Sequence, residues 1–278
     1  MNRREFIVTS AMAAAGFAVK PAIAQPEAPR LKQDLCWWCY GSMEPKRLIG
    51  EAKRIGYSGL ELAPEQHWDD IKTAGLEIVT MGGHASIGNG MNDPKEHARI
   101  EDEVAKNIEK AKKYGIPILI CFSGNRRGMA DEAGIENMAA CMKRLAPMAE
   151  REGITLALEP LNSKVDHRDY HADTTEWGVK MCKLVGSPRV KLLYDIYHMQ
   201  IMEGDVIRTI RAQHEFIAHY HTAGNPGRNE IGANQELNYA AVARAIADTG
   251  HRGYIGQEFI PKGDPIKGME EAFRICTV

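Results

Sequence analysis

Tyr194-Asp195-Ile196-Tyr197-His198-Met199-Gln200 is the segment that decides the fold, because Asp195 there ends a short apolar run. Short apolar runs bounded by glycine, proline or charged residues are typical of buried parallel strands. Three other runs end in the same way, and the four ending residues are Glu159, Asp195, His221 and Glu258. Side chains at the carboxyl ends of barrel strands share one face. Three carboxylates and an imidazole on that face would need a divalent cation to offset their repulsion, so the pattern predicts a metal site.

The spacing of the strand-like runs predicts a closed barrel. The runs lie near residues 34–40, 58–62, 76–81, 116–122, 154–159, 190–195, 216–221 and 253–258, and helical patterns separate them. This alternation, with short connections, is typical of one (β/α)8 TIM barrel of class α/β, which we assign to residues 25–278. The rival fold is a doubly wound open sheet, which usually carries a glycine-rich phosphate loop after its first strand. Gly41-Ser42-Met43-Glu44 lacks that pattern.

The N-terminal segment has the features of an export signal. Arg3-Arg4 is followed by an apolar stretch from Ile7 to Val19, and Ala22-Ile23-Ala24 has the small residues of a cleavage site. We therefore predict a cleavable twin-arginine signal peptide over residues 1–24 and a periplasmic or cell-surface location. The apolar stretch is too short to span a bilayer stably.

Charge and cysteine content argue against some classes of protein. The full chain has a formal net charge of −2, and the part that follows the basic signal is more acidic. Acidity argues against a nucleic-acid partner, because phosphate-binding proteins carry basic patches. Cys36-x-x-Cys39 has the spacing of a redox or zinc pair, but no second cysteine pair completes a zinc site. We predict that both thiols are reduced, structural and buried in the first strand.

The histidines near the strand ends fall into two groups. His198 follows Asp195 by three residues, so we expect its ring just beyond the strand end, facing the same mouth of the barrel. His219 shares a strand face with His221 and is expected to pack behind it. Three carboxylates and one imidazole favour an octahedral Mn²⁺ or Mg²⁺ over tetrahedral zinc, and we expect Co²⁺ to substitute.

Four sequence segments resemble the hydroxypyruvate isomerase branch of the xylose-isomerase-like barrels, whose relatives include the ketose 3-epimerases. The segments are 158–162, 194–205, Pro226-Gly227-Arg228 and Gly256-Gln257-Glu258, and the similarity extends from Cys36 to Pro261. Residues 194–205 are the most specific of them.

The resemblance implies roles for individual residues. It places the metal on Glu159, Asp195, His221 and Glu258, with Glu159 and Glu258 also carrying protons on opposite faces of the substrate's carbonyl carbon. His198 and Arg228 match positions that contact substrate oxygens, and His84, at the end of the third predicted strand, is expected to join them.

These roles predict a metal-dependent isomerase that moves a proton through an enediolate. The expected substrate is a small carbohydrate or hydroxy-keto acid, of the hydroxypyruvate and tartronate semialdehyde type or a ketose. A ketose 3-epimerase remains an alternative, because the family's epimerases have His, as in His221, where its hydroxypyruvate isomerases tend to have Gln. A lyase or hydratase on an oxidised sugar would use the same metal site. The sequence leaves a homo-oligomer open.

Overall fold

Nine strands, all parallel, form one sheet in the computed structural model, which describes residues 31–278. They are β1 (Lys32–Cys36), β2 (Gly59–Glu61), β3 (Glu77–Ile78), β4 (Thr80–Gly82), β5 (Ile118–Cys121), β6 (Thr155–Leu158), β7 (Val190–Asp195), β8 (Ile217–Thr222) and β9 (Tyr254–Gln257). The order across the sheet is β3-β2-β1-β9-β8-β7-β6-β5-β4.

The third predicted strand, 76–81, is divided at Val79 into β3 and β4. β3 pairs with β2, while β4 pairs with β5. Two backbone hydrogen bonds connect β2 and the residue after it to the divided third strand. They run from Val79 N to Leu60 O at 2.9 Å and from Leu62 N to Thr80 O at 3.1 Å. The sheet therefore curls into a nearly closed barrel, which confirms the predicted α/β TIM-barrel fold. The predicted signal peptide, residues 1–24, lies outside the described residues.

Helices cover the outside of the sheet between successive strands. They are α1 (Pro45–Ile55), α2 (Trp68–Thr73), α3 (His97–Tyr114), α4 (Asp131–Glu152), α5 (Thr175–Val185), α6 (Ile196–Met202), α7 (Val206–Gln213), α8 (Tyr239–Asp248) and α9 (Pro265–Cys276). Glycines in the left-handed conformation end α1, α3, α4 and α5, because glycine adopts positive φ without steric cost. Within residues 31–278, no helix is both long and apolar enough to cross a membrane.

The first predicted strand, 34–40, was wrong at its carboxyl end. β1 stops at Cys36, and Trp37–Tyr40 form a turn of 3₁₀ helix. Cys39 therefore lies in a turn and is half-buried, whereas Cys36 is fully buried. The structure records both thiols as free.

One wall of the barrel interior is apolar. Side chains alternate between the two faces of a strand, so residues two apart share a face. On one wall, the inward residues Ile118, Ile120, Ala157 and Leu193 pack as an apolar cluster separate from the main core. Glu159 and Asp195 follow two residues after Ala157 and Leu193, so the alternation that builds this cluster also aims both carboxylates inward.

We expect Gly59→Ala to destabilise the barrel where β2 meets the divided third strand. A Cβ on Gly59 would lie 2.6 Å from Cγ2 of Val79 and 2.7 Å from the carbonyl oxygen of Glu77. Such overpacking typically costs about 1–3 kcal/mol. Gly50→Ala on α1 is the matched control, since its Cβ would meet nothing within 4 Å. Alanine there should stabilise the helix by roughly 0.5–1 kcal/mol. Urea unfolding measures the free energy of unfolding of each variant. Equal values for Gly59→Ala and Gly50→Ala would contradict the expectation.

Candidate active site

Four strand ends bring the predicted metal ligands together. Glu159 and Glu258 directly follow β6 and β9, Asp195 ends β7, and His221 is the last residue but one of β8. All four side chains are buried. One potential ligand atom from each lies within 4.8 Å of the others. The structure thus gathers the four residues that the sequence singled out, and we call them the acidic cluster.

The contacts within the acidic cluster centre on His221 and Glu258. Nδ1 of His221 lies 2.8 Å from Oε2 of Glu258 and 3.6 Å from Oε1 of Glu159. Trp38 donates its indole N–H to Oε1 of Glu258 at 2.9 Å, and the Cys36 thiol lies 3.6 Å from the same oxygen. Glu258 is therefore held by several neighbours, whereas among residues 31–278 the Glu159 carboxylate has only the longer contact with His221.

Arg228 supplies a positive charge beside the acidic cluster. Its Nη2 lies 3.0 Å from Oδ2 of Asp195 and also pairs with Oε2 of Glu258. Its backbone φ of 57° is in the left-handed region, and Leu62, after β2, has a φ of 50°. Non-glycine residues adopt this conformation at a steric cost.

Burial and charge set unequal proton affinities in the metal-free cluster. Burial, reinforced by the neighbouring carboxylates, raises the pKa of Glu159 to about 7 and that of Asp195 to about 6. Burial also disfavours the charge on Glu258, but the positive charges of His221 and Arg228 outweigh it and hold the pKa of Glu258 well below its usual range. Burial opposes the charge on His221 too, yet Glu258 and Glu61 raise its pKa well above the ordinary value.

His198 lies in the first turn of α6, which the sequence analysis did not predict. Oδ1 of Asp195 caps this helix by accepting from the backbone N–H groups of Tyr197 at 2.8 Å and His198 at 3.2 Å. The ring of His198 is fixed between Nδ2 of Asn162, 2.6 Å from Nδ1, and Nη1 of Arg228, 2.7 Å from Nε2. Burial and the charge of Arg228 keep its pKa well below the usual value, so the imidazole is neutral.

A cavity of about 380 Å³ opens above the acidic cluster. Its walls combine apolar and polar side chains, namely Trp38, Leu62, Ile87, Phe122, Leu161, Glu159, Asp166, His167, His198, Arg228 and Glu258. A larger groove of about 560 Å³ runs between α5 and α7, but its lining contains no member of the acidic cluster. The smaller cavity is therefore the candidate substrate site, because carboxylates, imidazoles and a guanidinium converge on it.

His84 lies behind this cavity rather than on its wall. The ring is buried, and its Nε2 accepts a hydrogen bond from the backbone N–H of Phe122 at 3.0 Å. Phe122 packs edge-on against it and is the residue that lines the cavity. Burial lowers the pKa of His84 to about 4, so the ring is neutral. The predicted contact of His84 with substrate stays a prediction.

Glu61 is the main residue of this region that the sequence analysis missed. Oε1 of Glu61 lies 3.0 Å from Nε2 of His221, on the side of the ring opposite the acidic cluster. Its Oε2 lies 3.1 Å from Nε2 of His219 and accepts from the Thr80 hydroxyl at 2.9 Å. A signal was present, because Gly59-Leu60-Glu61 is another short run that ends in a carboxylate. His219 packs behind His221, as predicted.

The acidic cluster fits a hard divalent cation. Three carboxylates and an imidazole nitrogen are oxygen and nitrogen donors of the kind that Mg²⁺ and Mn²⁺ accept. Both ring nitrogens of His221 are buried without a well-aligned hydrogen-bond partner among residues 31–278, and Nδ1 is the one that faces Glu159 and Glu258. Burying three acids together is unfavourable unless a positive charge is close.

Sequence comparison shows the family. The sequence profile described as "Xylose isomerase-like TIM barrel" matches residues 49–277. The chain belongs to this family. It is 28% identical over 241 residues to a putative hydroxypyruvate isomerase of Mus musculus, covering 81% of this chain and 87% of the relative. It is 31% identical over 177 residues to the hydroxypyruvate isomerase of Escherichia coli, covering 63% of this chain and 68% of the relative.

A solved structure agrees with this assignment. The AP endonuclease, family 2, from Brucella melitensis has a TM-score of 0.77 and 25% identity, covering 87% of this chain and 96% of that chain. The comparisons confirm the resemblance to the hydroxypyruvate isomerase branch of the xylose isomerase-like barrels. By its similarity to these relatives, the chain is an isomerase.

Affinity for a divalent cation should fall as the pH is lowered from about 8 to about 5.5, because ligating carboxyl groups must be deprotonated. Glu159 and Asp195, with pKa values of about 7 and about 6, are ionised at the higher pH and protonated at the lower one. Each group should cost about tenfold in affinity per pH unit below its pKa. Mn²⁺ titration calorimetry in buffers of different ionisation enthalpy measures affinity and proton release together. Equal affinities at both pH values would contradict this expectation.

Proposed function

We propose that the chain is a metal-dependent isomerase of small hydroxy-carbonyl compounds, of the hydroxypyruvate and tartronate semialdehyde type or ketoses. The observation that carries the proposal is the pair Glu159 and Glu258, which border one cavity from β6 and β9, three strands apart around the barrel. Relatives named as hydroxypyruvate isomerases and a 2-oxo-tetronate isomerase support the reaction type.

Proton transfer is the task of the two glutamates. Removing a proton from the carbon beside a carbonyl is difficult because negative charge builds on the carbonyl oxygen. A divalent cation held by Glu159, Asp195, His221 and Glu258 would supply the charge that stabilises this oxygen. One glutamate takes the proton, and the same or the opposite glutamate returns it. The substrate passes through an enediolate between the two steps.

The other cavity residues bind and orient the substrate. Arg228 can donate to substrate oxygens through its guanidinium. His198 can contact a substrate oxygen through Nε2 in place of its 2.7 Å contact with Nη1 of Arg228, because Asn162 holds Nδ1. Trp38, Phe122 and Leu161 form an apolar part of the wall that excludes water. Exclusion of water strengthens the electrostatic interactions within the site.

The destination of the returned proton decides between two reactions. If the proton goes to the neighbouring carbon, the carbonyl moves and the compound is isomerised. If it returns to the opposite face of the same carbon, that centre is epimerised. Two glutamates reaching one cavity from different strands support a ketose 3-epimerase as the second candidate. A lyase or hydratase would share the first proton abstraction and differ afterwards.

We propose Mn²⁺ or Mg²⁺ as the physiological metal, with Co²⁺ as a substitute, from the donor set of the acidic cluster. Export through the twin-arginine pathway remains a proposal that rests on Arg3-Arg4 and the apolar stretch after them. The partner is a small molecule, and we propose no nucleic-acid ligand because of the chain's net acidity.

Glu258→Gln should abolish most of the chemistry while leaving a ligating oxygen. The amide is nearly the size of the acid but cannot accept a proton as the carboxylate does. With saturating Mn²⁺, solvent-deuterium exchange into a hydroxy-ketone should slow by about 10²–10⁴-fold, the usual contribution of a general acid–base group. Proton NMR in D₂O follows the exchange whichever product forms.

Glu270→Gln is the matched control for that experiment. Glu270 lies on α9 and pairs with Arg54 on the outer surface of the barrel, at 2.6 Å. Its amide variant should exchange substrate protons at the wild-type rate. If metal-saturated Glu258→Gln exchanged substrate protons at the wild-type rate, the proposed isomerase mechanism would be wrong.

A further inference from the structure

The inside of the barrel beneath the acidic cluster is polar on one wall. Asp34, Glu61, Thr80, His219 and His221 come from β1, β2, β4 and β8, and all are fully buried. Barrel interiors are usually filled by apolar branched side chains, as on the wall formed by Ile118 and Leu193. Burying carboxylates and imidazoles is costly unless each has partners. The position of this polar group, directly behind one member of the acidic cluster, points to a role in that cluster.

Glu61 and Glu258 contact opposite nitrogens of His221. Nε2 lies 3.0 Å from Oε1 of Glu61, while Nδ1 lies 2.8 Å from Oε2 of Glu258. A neutral imidazole carries a proton on one nitrogen only, and the nitrogen that binds a metal must be the other one. Each nitrogen of His221 faces a carboxylate, but a cation bound among Glu159, Asp195 and Glu258 would take the place of a proton on Nδ1, while the anionic oxygen of Glu61 keeps the proton on Nε2. Nδ1 is then left as the ligand, on the side of the carboxylates.

Glu61 is itself held in place. Its Oε2 accepts from the Thr80 hydroxyl at 2.9 Å and lies 3.1 Å from Nε2 of His219. Gly256 in β9 leaves the space that the pair occupies. A Cβ at Gly256 would lie 2.2 Å from Oε1 of Glu61 and 3.1 Å from Cδ2 of His221. The only residue that fits there without moving Glu61 is glycine.

We propose that Glu61 is a positioning residue that holds His221 with its proton on Nε2 and its Nδ1 facing the cation. This inference rests on the proposed metal site and adds the residue that orients one of its ligands. Carboxylates behind metal-binding histidines fix the ring and raise its basicity, and their loss typically weakens metal binding about 10- to 100-fold. Glu61 does not line the cavity, so its effect passes through His221.

Glu61→Gln tests the role with little change of size. An amide can accept from one imidazole N–H but presents its NH₂ group to the other, so His221 loses its anionic partner. We expect the dissociation constant for Mn²⁺ to rise about 10- to 100-fold. Glu270→Gln is the matched control, because it removes the same charge at the outer surface of the barrel, where Glu270 pairs with Arg54. Its affinity for Mn²⁺ should stay within about threefold of wild type, well short of the Glu61 effect. Gly256→Ala, which leaves every charge in place, should weaken binding in the same direction as Glu61→Gln.

A spectroscopic measurement on the wild type keeps the test independent of variant folding. In Mg²⁺-loaded protein labelled with ¹⁵N-histidine, long-range ¹H–¹⁵N spectra should show His221 protonated on Nε2 and unprotonated on Nδ1. Thermal unfolding of the metal-free variants separates loss of fold from loss of affinity.

The outcomes distinguish this inference from the proposed function. Equal Mn²⁺ affinity in wild type and Glu61→Gln, or a proton on Nδ1 in the loaded protein, would overturn the role of Glu61 and leave the metal site standing. Two ions bound per wild-type chain, reduced to one in Glu61→Gln, would make Glu61 a ligand and also overturn positioning. A wild-type protein that binds no divalent ion would overturn both proposals.

Discussion

Mutual repulsion among three buried carboxylates is the constraint on which the rest of this structure depends. Glu159, Asp195 and Glu258 meet at one end of the barrel, where little water reaches them. Several neighbouring elements place hydrogen-bond donors or a positive charge against these acids. The α6 backbone donates to Asp195, the indole of Trp38 donates to Glu258, and Arg228 pairs with both acids. The barrel holds the three acids rigidly, because each acid stands at the end of a strand whose neighbouring strands fix its position along the barrel axis.

The two glutamates differ in how firmly they are held. Trp38, His221 and Arg228 surround Glu258, so its charge is stabilised before any cation arrives. Glu159 meets Nδ1 of His221 at a longer distance, and its proton affinity is higher for that reason and because it is desolvated. Groups that share a site but differ in proton affinity are suited to take different parts in one reaction. The difference therefore comes from Trp38, which follows β1, and from His221 and Arg228, which lie in and after β8.

The sequence was sufficient to locate the strand regions of the barrel and the acidic cluster, because strand-end side chains are fixed by a period of two residues. Glu159, Asp195, His221 and Glu258 could all be found in this way. The division of the third strand at Val79 could not, since it depends on pairing with two different neighbours. The helix α6 was hidden because Asp195 serves both as strand end and as helix cap. Glu61 was overlooked although it obeys the same rule. His84 was placed from its position at the end of the third predicted strand, which does not reveal that Phe122 packs against it.

The backbone at Leu62 and Arg228 has a consequence for how this enzyme can evolve. Both residues line the cavity with φ values of 50° and 57°, a conformation that costs roughly 1–2 kcal/mol for a side chain with a Cβ. Glycine at Leu62 would relieve part of that strain, whereas glycine at Arg228 would also remove the charge that pairs with Asp195 and Glu258 and would cost more than it relieves. Backbone strain therefore accompanies an apolar wall at Leu62 and a guanidinium at Arg228. Leu62 is thus the position at which an engineered heat-resistant version of this enzyme would exchange part of its cavity wall for stability.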